Sequence, residues 1–98
     1  MTPELLARLD RGMTRHRLRA LATMRRVCLS HGVLVSDVVG RGRDRKTSHA
    51  RQEVCWRLRH VEGLTYAEIG ALLGGRDHGS LIYSERRHAE SLEGSADQ

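Results

Sequence analysis

Two adjacent glycines in the second half of this 98-residue chain constrain its fold more than any other feature. Gly74 and Gly75 separate two helical patterns, and each pattern has its own start signal. Thr65 and Glu68 have the spacing of a capping box before the first helix, and Asp77 is a good N-cap for the second. Two helices joined by a glycine turn, the second opening with polar residues, are typical of a helix-turn-helix motif. An ordinary helical hairpin is the alternative that this pattern leaves open.

Apolar residues recur at helical spacing along the rest of the chain, and no segment alternates as a β-strand would. The predicted fold class is therefore all-α, a compact helical domain. Gly12 is expected to end a first helix, and Ser36 and Ser48 are expected to cap later ones. The other predicted helical segments are 14–31, 37–39 and 49–62, and the last helix is expected to end near residue 92. Their inward faces are expected to hold Leu18, Leu21, Met24, Val27, Cys28, Val54, Cys55, Leu58 and Val61.

Charge is distributed unevenly along the chain. All but one of the 17 basic residues are arginine, and residues 1–60 have 14 basic against 5 acidic side chains, whereas residues 61–98 have 3 against 7. A strongly basic section beside an acidic one indicates a surface that faces a polyanion. Aromatic residues make up 3% of the chain, which leaves few stacking platforms and disfavours binding of RNA or single strands. Double-stranded DNA is the partner that this composition favours.

Several other classes of protein are disfavoured by the sequence. The six histidines are scattered and none stands beside a plausible nucleophile, so we expect neither an enzyme nor a cofactor. Cys28 and Cys55 are expected to be small core residues. A zinc site that joins them to His31 and His60 is the alternative, although the spacing is not a zinc pattern. No apolar run approaches the roughly 18 residues that span a bilayer, so we expect a cytoplasmic protein without a membrane partner.

The segment from Ile69 to Ile82 has the core Gly-Gly-Arg-Asp-His, followed by small and apolar residues. It resembles the C-terminal DNA-binding domain, domain IV, of the bacterial replication initiator DnaA. The likeness continues upstream in Ala50-Arg51-Gln52 and in the basic stretch from Val38 to Arg43, and it covers about residues 24–93. It implies a Trp-repressor-like helix-turn-helix domain over 24–93 in a nucleoid-associated protein. The segments outside the likeness are expected to be a helical extension over 1–23 and a disordered tail over 94–98.

The resemblance also implies a set of DNA contacts. Arg43, in a basic loop over 41–47, corresponds to the arginine that enters the minor groove. Asp77, His78 and Gly79 correspond to residues that contact base edges in the major groove, and Ser80 and Ala67 are further candidates for base contacts. The candidate contacts to DNA phosphates are Arg41, Arg45, Arg51, Arg59, Thr65, Arg76 and Arg87.

Three positions depart from the family pattern. Gly79 stands where Thr or Ser is usual, Ala67 stands where Pro is common, and His88 occupies a normally apolar position with Glu85 beside it. These departures predict that the DNA site is a relaxed or altered DnaA box. They also leave a rival interpretation, a protein-interaction module of the same fold that has lost base-specific contacts and docks a partner through its acidic last helix.

The sequence has no phosphate-binding loop motif, so no nucleotide partner is expected. If the chain is complete, it is then not a full initiator but a regulator, a competitor for initiator sites, or a phage or mobile-element protein that acts on replication or transcription. The N-terminal segment contains Leu5, Leu6 and Leu9, which either extend the core or form a homodimer contact. This segment and the last helix are the candidate surfaces for a replication-protein partner.

Overall fold

The structure, a computed structural model, describes residues 2–96; the side chains of residues 5–14, 95 and 96 lie outside that description. Within this range the chain forms five helices and no strand, which confirms the predicted all-α class. The predicted roles of Leu5, Leu6 and Leu9 concern side chains outside the described part. The helices are α1 (Pro3–His31), α2 (Val35–Val39), α3 (Arg45–His60), α4 (Tyr66–Leu72) and α5 (His78–Ala96).

Helix α3 lies at the centre of the domain and packs against each of the other four helices. Its apolar face is Ala50, Val54, Cys55 and Leu58, and all four side chains are buried. Burial of such a face removes apolar surface from water and supplies most of the stabilisation of a short helix. The remaining buried apolar residues are Ala20, Met24, Val27, Cys28, Val38, Leu64, Ile69, Leu73 and Leu81.

The helix-turn-helix pair has the predicted caps. The Thr65 side chain accepts a hydrogen bond from the Glu68 N–H, and the Glu68 carboxylate accepts one from the Thr65 N–H, so the capping box is confirmed. Asp77 accepts from the Ser80 N–H at 3.2 Å, one turn into α5. Both caps satisfy backbone donors that would otherwise lack a partner at a helix start.

Two predicted caps were wrong. Helix α2 begins after Leu34, not after Ser36, and the Asp37 carboxylate accepts from the Leu34 N–H. Helix α3 begins after Asp44, not after Ser48, because the Asp44 carboxylate accepts from the Thr47 N–H and starts the helix earlier. The basic loop is therefore shorter than predicted, since residues 45–47 form the first turn of α3.

Some helix limits and core positions also differ from the prediction. Helix α1 continues through Gly12, because one glycine in a long helix costs only about 1 kcal/mol and its neighbours favour the helix. Helix α5 extends to Ala96, beyond the expected end near residue 92. Leu18 and Val61 are each 60% exposed and do not belong to the core. No helix within residues 2–96 has both the length and the apolar character needed to cross a membrane.

The turn between α4 and α5 depends on glycine for two separate reasons. Gly74 has a φ of +77°, and a Cβ there would lie 2.8 Å from the carbonyl oxygen of Val39. Gly70, inside α4, packs so closely that a Cβ would lie 2.5 Å from the carbonyl oxygen of Arg76. The close approach of Gly74 to Val39 places the turn against the end of α2. The close approach of Gly70 to Arg76 places the residues before α5 against α4.

We expect Gly70→Ala to destabilise the domain by about 2–4 kcal/mol, because a methyl group in that space must displace backbone, not a flexible side chain. The matched control is Gly94→Ala in α5, where the Cβ would meet no atom within 4 Å and the unfolding free energy should stay equal or rise by up to about 1 kcal/mol. Urea unfolding measures both. Equal stability of the two variants would contradict the close packing of α4 on the turn.

Candidate nucleic-acid interface

The first turn of α5 presents the predicted base-contacting residues on the surface. Asp77, His78 and Gly79 are exposed, and Ser80 is half-buried. Ala67, at the start of α4, is also exposed. One oxygen of Asp77 caps the helix, and the other remains available as an acceptor. A helix start with free N–H groups and a positive dipole end suits a negatively charged ligand.

The basic loop between α2 and α3 presents the second part of the site. Arg41, Arg43 and Arg45 are all exposed. Within the part of the chain that the structure describes, none of these three guanidinium groups makes a hydrogen bond or an ion pair. Because their charge has no internal partner, these side chains are available to an anionic ligand.

Arg51 holds the basic loop in place. Its guanidinium donates hydrogen bonds to the carbonyl oxygens of Val38 (2.9 Å), Asp37 (3.1 Å), Gly40 (3.4 Å) and Gly42 (3.0 Å). These four acceptors belong to the end of α2 and the loop that follows it. The planar guanidinium has several donors in a fixed geometry, so one side chain can satisfy a curved stretch of backbone. The predicted phosphate contact of Arg51 stays a prediction, and its observed contacts are internal.

Arg76 connects the helix-turn-helix turn to the same loop. Its Nη2 donates to the carbonyl oxygen of Gly40, and its Nε is buried without a hydrogen-bond partner among the described residues. Burial lowers the pKa of Arg51 from its ordinary value, and the nearby charge of Arg76 lowers it further. Two like charges therefore lie close together beneath this surface, and the Gly40 carbonyl oxygen accepts a hydrogen bond from each.

The other candidates for phosphate contacts have internal partners as well. Arg59 donates to the carbonyl oxygen of Leu64 at 2.9 Å, and its guanidinium carbon lies 4.6 Å from the centre of the Tyr66 ring. Arg87 forms an exposed ion pair with Glu90, which contributes little to stability. Thr65 is occupied as the cap of α4. Their phosphate contacts also stay predictions.

A polar cluster beside His78 was not predicted from the sequence. The rings of Tyr66 and His78 lie 5.8 Å apart, centre to centre. The Tyr66 hydroxyl donates to Glu85 at 2.7 Å, and the other Glu85 oxygen lies 2.5 Å from Nε2 of His60. The one available signal was spacing, because Glu85 follows His78 by two helical turns and so shares its face of α5.

Cys28 and Cys55 are both buried and free, which confirms their predicted place in the core. Burial raises the pKa of Cys55 to about 11, so its thiol stays protonated near neutral pH. Trp56 is half-buried, and its ring lies 5.5 Å from that of His88. Burial lowers the pKa of His88, so the neutral ring packs in the position where an apolar side chain is usual. Among the described residues, no group of three or more potential metal ligands comes together.

The fold and this site define a helix-turn-helix domain with an exposed recognition-helix start and an exposed basic loop. Residues 14–87 match the family described as bacterial dnaA protein helix-turn-helix, and the chain belongs to that family. This match begins at residue 14, whereas the resemblance found in the sequence begins at about residue 24. The matched part therefore includes the second half of α1.

Several relatives named chromosomal replication initiator protein DnaA agree with this assignment. The chromosomal replication initiator protein DnaA of Corynebacterium jeikeium is 41% identical over 56 residues, which are 57% of this chain and 10% of that protein. The DnaA proteins of Thermomicrobium roseum and Herpetosiphon aurantiacus are each 34% identical, over 91% and 84% of this chain and 19% and 17% of their own lengths. The chain thus spans less than a fifth of these relatives. No solved structure matches it.

We expect Arg51→Lys to lower the free energy of unfolding by about 1–3 kcal/mol, because a lysine keeps the charge but cannot donate to four carbonyl oxygens at once. Arg41→Lys is the matched control, since that exposed side chain has no internal partner, and it should change stability by less than about 0.5 kcal/mol. Thermal or urea unfolding compares them. An equal, small effect of both substitutions would show that the contacts of Arg51 do not hold the loop.

Proposed function

We propose that the chain binds double-stranded DNA sequence-specifically at a site similar to a DnaA box, with the start of α5 in the major groove and Arg43 in the minor groove. The observation that supports this most strongly is the shared anchor beneath the two surfaces. Arg51 and Arg76 both donate to the Gly40 carbonyl oxygen, so the basic loop and the recognition helix are fixed relative to each other. A rigid pair of surfaces suits simultaneous contact with two neighbouring grooves.

The exposed groups at the start of α5 have the chemistry for base contacts. The free oxygen of Asp77 can accept a hydrogen bond from cytosine N4 or adenine N6. His78 can donate to a purine or contact a thymine methyl group. Gly79 offers only backbone, so Ser80 and Ala67 are the remaining side chains proposed to meet base edges. This reduced set favours a site less strictly defined than one contacted by a threonine at residue 79.

The phosphate contacts divide into two groups in this proposal. Arg41 and Arg45 are exposed without internal partners, so they can neutralise phosphates without giving up a bond of the fold. Arg51, Arg59 and Arg76 already donate to backbone carbonyl oxygens, and each would have to use its remaining N–H groups. We therefore expect Arg41 and Arg45 to account for most of the salt dependence of the binding affinity. Arg87 and Thr65 are proposed to contact phosphates at the periphery of the DNA site.

The biological role proposed is regulation of replication initiation or of transcription through such DNA sites. The named relatives are chromosomal replication initiators, and this chain corresponds to a small part of each. In this role the helix-turn-helix domain selects the DNA site by binding it, and binding requires no catalytic groups.

A protein-interaction module is the second candidate function. Gly79 favours it, because the position that usually has a hydroxyl side chain has none. This candidate predicts weak DNA binding that depends steeply on salt and does not distinguish one sequence from another.

Fluorescence anisotropy with a labelled DnaA-box duplex and a scrambled duplex tests the proposed function. We expect at least a roughly tenfold preference for the box at physiological salt. Arg43→Ala and His78→Ala should each weaken box binding by about 1–3 kcal/mol, because each removes a base contact. Arg25→Ala, which removes an exposed charge from α1, is the control for loss of charge alone. Equal affinity for both duplexes, with no specific effect of the two variants, would favour the interaction module.

Gly79→Thr should strengthen box binding by about three- to tenfold, because it restores a hydroxyl and a methyl group at a base-contacting position. The site has room for it, since a Cβ at residue 79 would meet only an Asp77 carboxylate oxygen at 3.7 Å, an ordinary contact. The substitution should also raise the unfolding free energy by up to about 1 kcal/mol. A more stable variant with unchanged or weaker box binding would show that residue 79 does not face the bases.

A further inference from the structure

Tyr66 connects the two helices of the motif at the point where both begin. It is the first residue of α4, and its ring packs against the ring of His78, the first residue of α5, with the planes tilted by 45°. The Tyr66 side chain is half-buried, whereas that of His78 is exposed. A tilted aromatic pair at this distance is attractive and restricts the ring that is otherwise free to rotate into solvent.

The Tyr66 ring is itself held from two directions. Its hydroxyl donates to Glu85 at 2.7 Å, and the Arg59 guanidinium packs on the ring. Glu85 is fixed in turn, since its side chain is only 16% exposed and its second oxygen contacts His60. Hydrogen bonding to this carboxylate raises the pKa of Tyr66, which keeps the hydroxyl protonated as the donor.

Helix α5 therefore contains both the His78 ring and Glu85, the residue that holds Tyr66 against that ring. His78 and Glu85 lie two turns apart on one face, and Tyr66 bridges them from α4. A flexible side chain loses rotational freedom when it is ordered at an interface, and that loss weakens binding. A ring that is already restricted before DNA arrives avoids part of this cost.

We infer that Tyr66, anchored by Glu85, is a positioning residue that orients the His78 ring for its base contact. The inference rests on the proposed function, because it assigns Tyr66 a role through His78. The inference also explains why an acidic residue lies beside a surface that binds DNA. Glu85 repels phosphate, but it also accepts the hydrogen bond of Tyr66, which orders the His78 ring.

The test is a double-mutant cycle on the full chain, read by anisotropy with the DnaA-box duplex. Tyr66→Leu removes the ring and should weaken binding by about tenfold, and Tyr66→Phe removes only the hydroxyl and should weaken it by about threefold. In the His78→Ala background both effects should fall below about twofold, because the residue that Tyr66 orients is gone. The proton shifts of the His78 ring should also change in free Tyr66→Leu protein, through loss of the ring current, and no change would overturn the inference.

The anchor is tested with its own variants. Glu85→Ala should weaken box binding despite removing a negative charge, and Glu85→Gln, which still accepts from a hydroxyl, should restore binding to within about twofold of the parent. Glu93→Ala, an exposed acid on the same helix, is the matched control and should leave binding equal or slightly stronger. Stronger binding by Glu85→Ala, equal to that of the control, would overturn the anchoring role.

The outcomes separate this inference from the proposed function. If His78→Ala weakens binding but the Tyr66 substitutions cost the same with and without His78, Tyr66 is only structural and the DNA-binding proposal stands. If His78→Ala has no effect while the box duplex is still preferred over the scrambled one, the base contact of His78 is wrong and the inference about Tyr66 fails alone. If both duplexes bind equally, the proposed function fails as well. If Tyr66→Leu does not fold, Tyr66→Phe, which keeps the ring, decides between these outcomes.

Discussion

The carbonyl oxygen of Gly40 accepts hydrogen bonds from Arg51 of α3 and from Arg76 of the turn before α5. Around it, Arg51 contacts three more carbonyl oxygens of the α2 end and the basic loop, and Gly74 allows the turn to approach Val39. The two exposed surfaces of the domain, the loop with Arg43 and the start of α5, therefore share one support. Without these hydrogen bonds the two surfaces could move independently. Binding to two DNA grooves at once would then have to restrict the motion of both surfaces.

This arrangement changes the interpretation of the arginine-rich composition. Arg41, Arg43 and Arg45 point their charge outward without internal partners among the described residues, whereas Arg51, Arg59 and Arg76 satisfy backbone carbonyl oxygens. The guanidinium group suits both tasks, because it stays charged and has several donors in one plane. A count of basic residues indicates a polyanion partner, but it does not separate arginines with exposed, unpartnered guanidinium groups from those that donate to the backbone.

The sequence predicts those parts of the fold that local chemistry determines. The capping box at Thr65, the Asp77 cap and the burial of Val54, Cys55 and Leu58 on α3 follow from short-range patterns, and the structure confirms them. The start of α3 was predicted wrongly because Asp44 and Ser48 are both good caps, and their sequence pattern alone does not decide between them. The Tyr66–Glu85 contact joins residues 19 positions apart on different helices, so no periodicity within one helix reveals it.

We propose that the basic loop and the start of α5 contact separate parts of one DNA site. Selection from a randomised duplex pool by the parent chain, by Arg43→Ala and by His78→Ala tests it most directly. We expect the parent chain to select a defined motif, with base preference lost at one group of positions in Arg43→Ala and at a different group in His78→Ala. Loss at the same positions in both variants, or a parental pool without any motif, would contradict it.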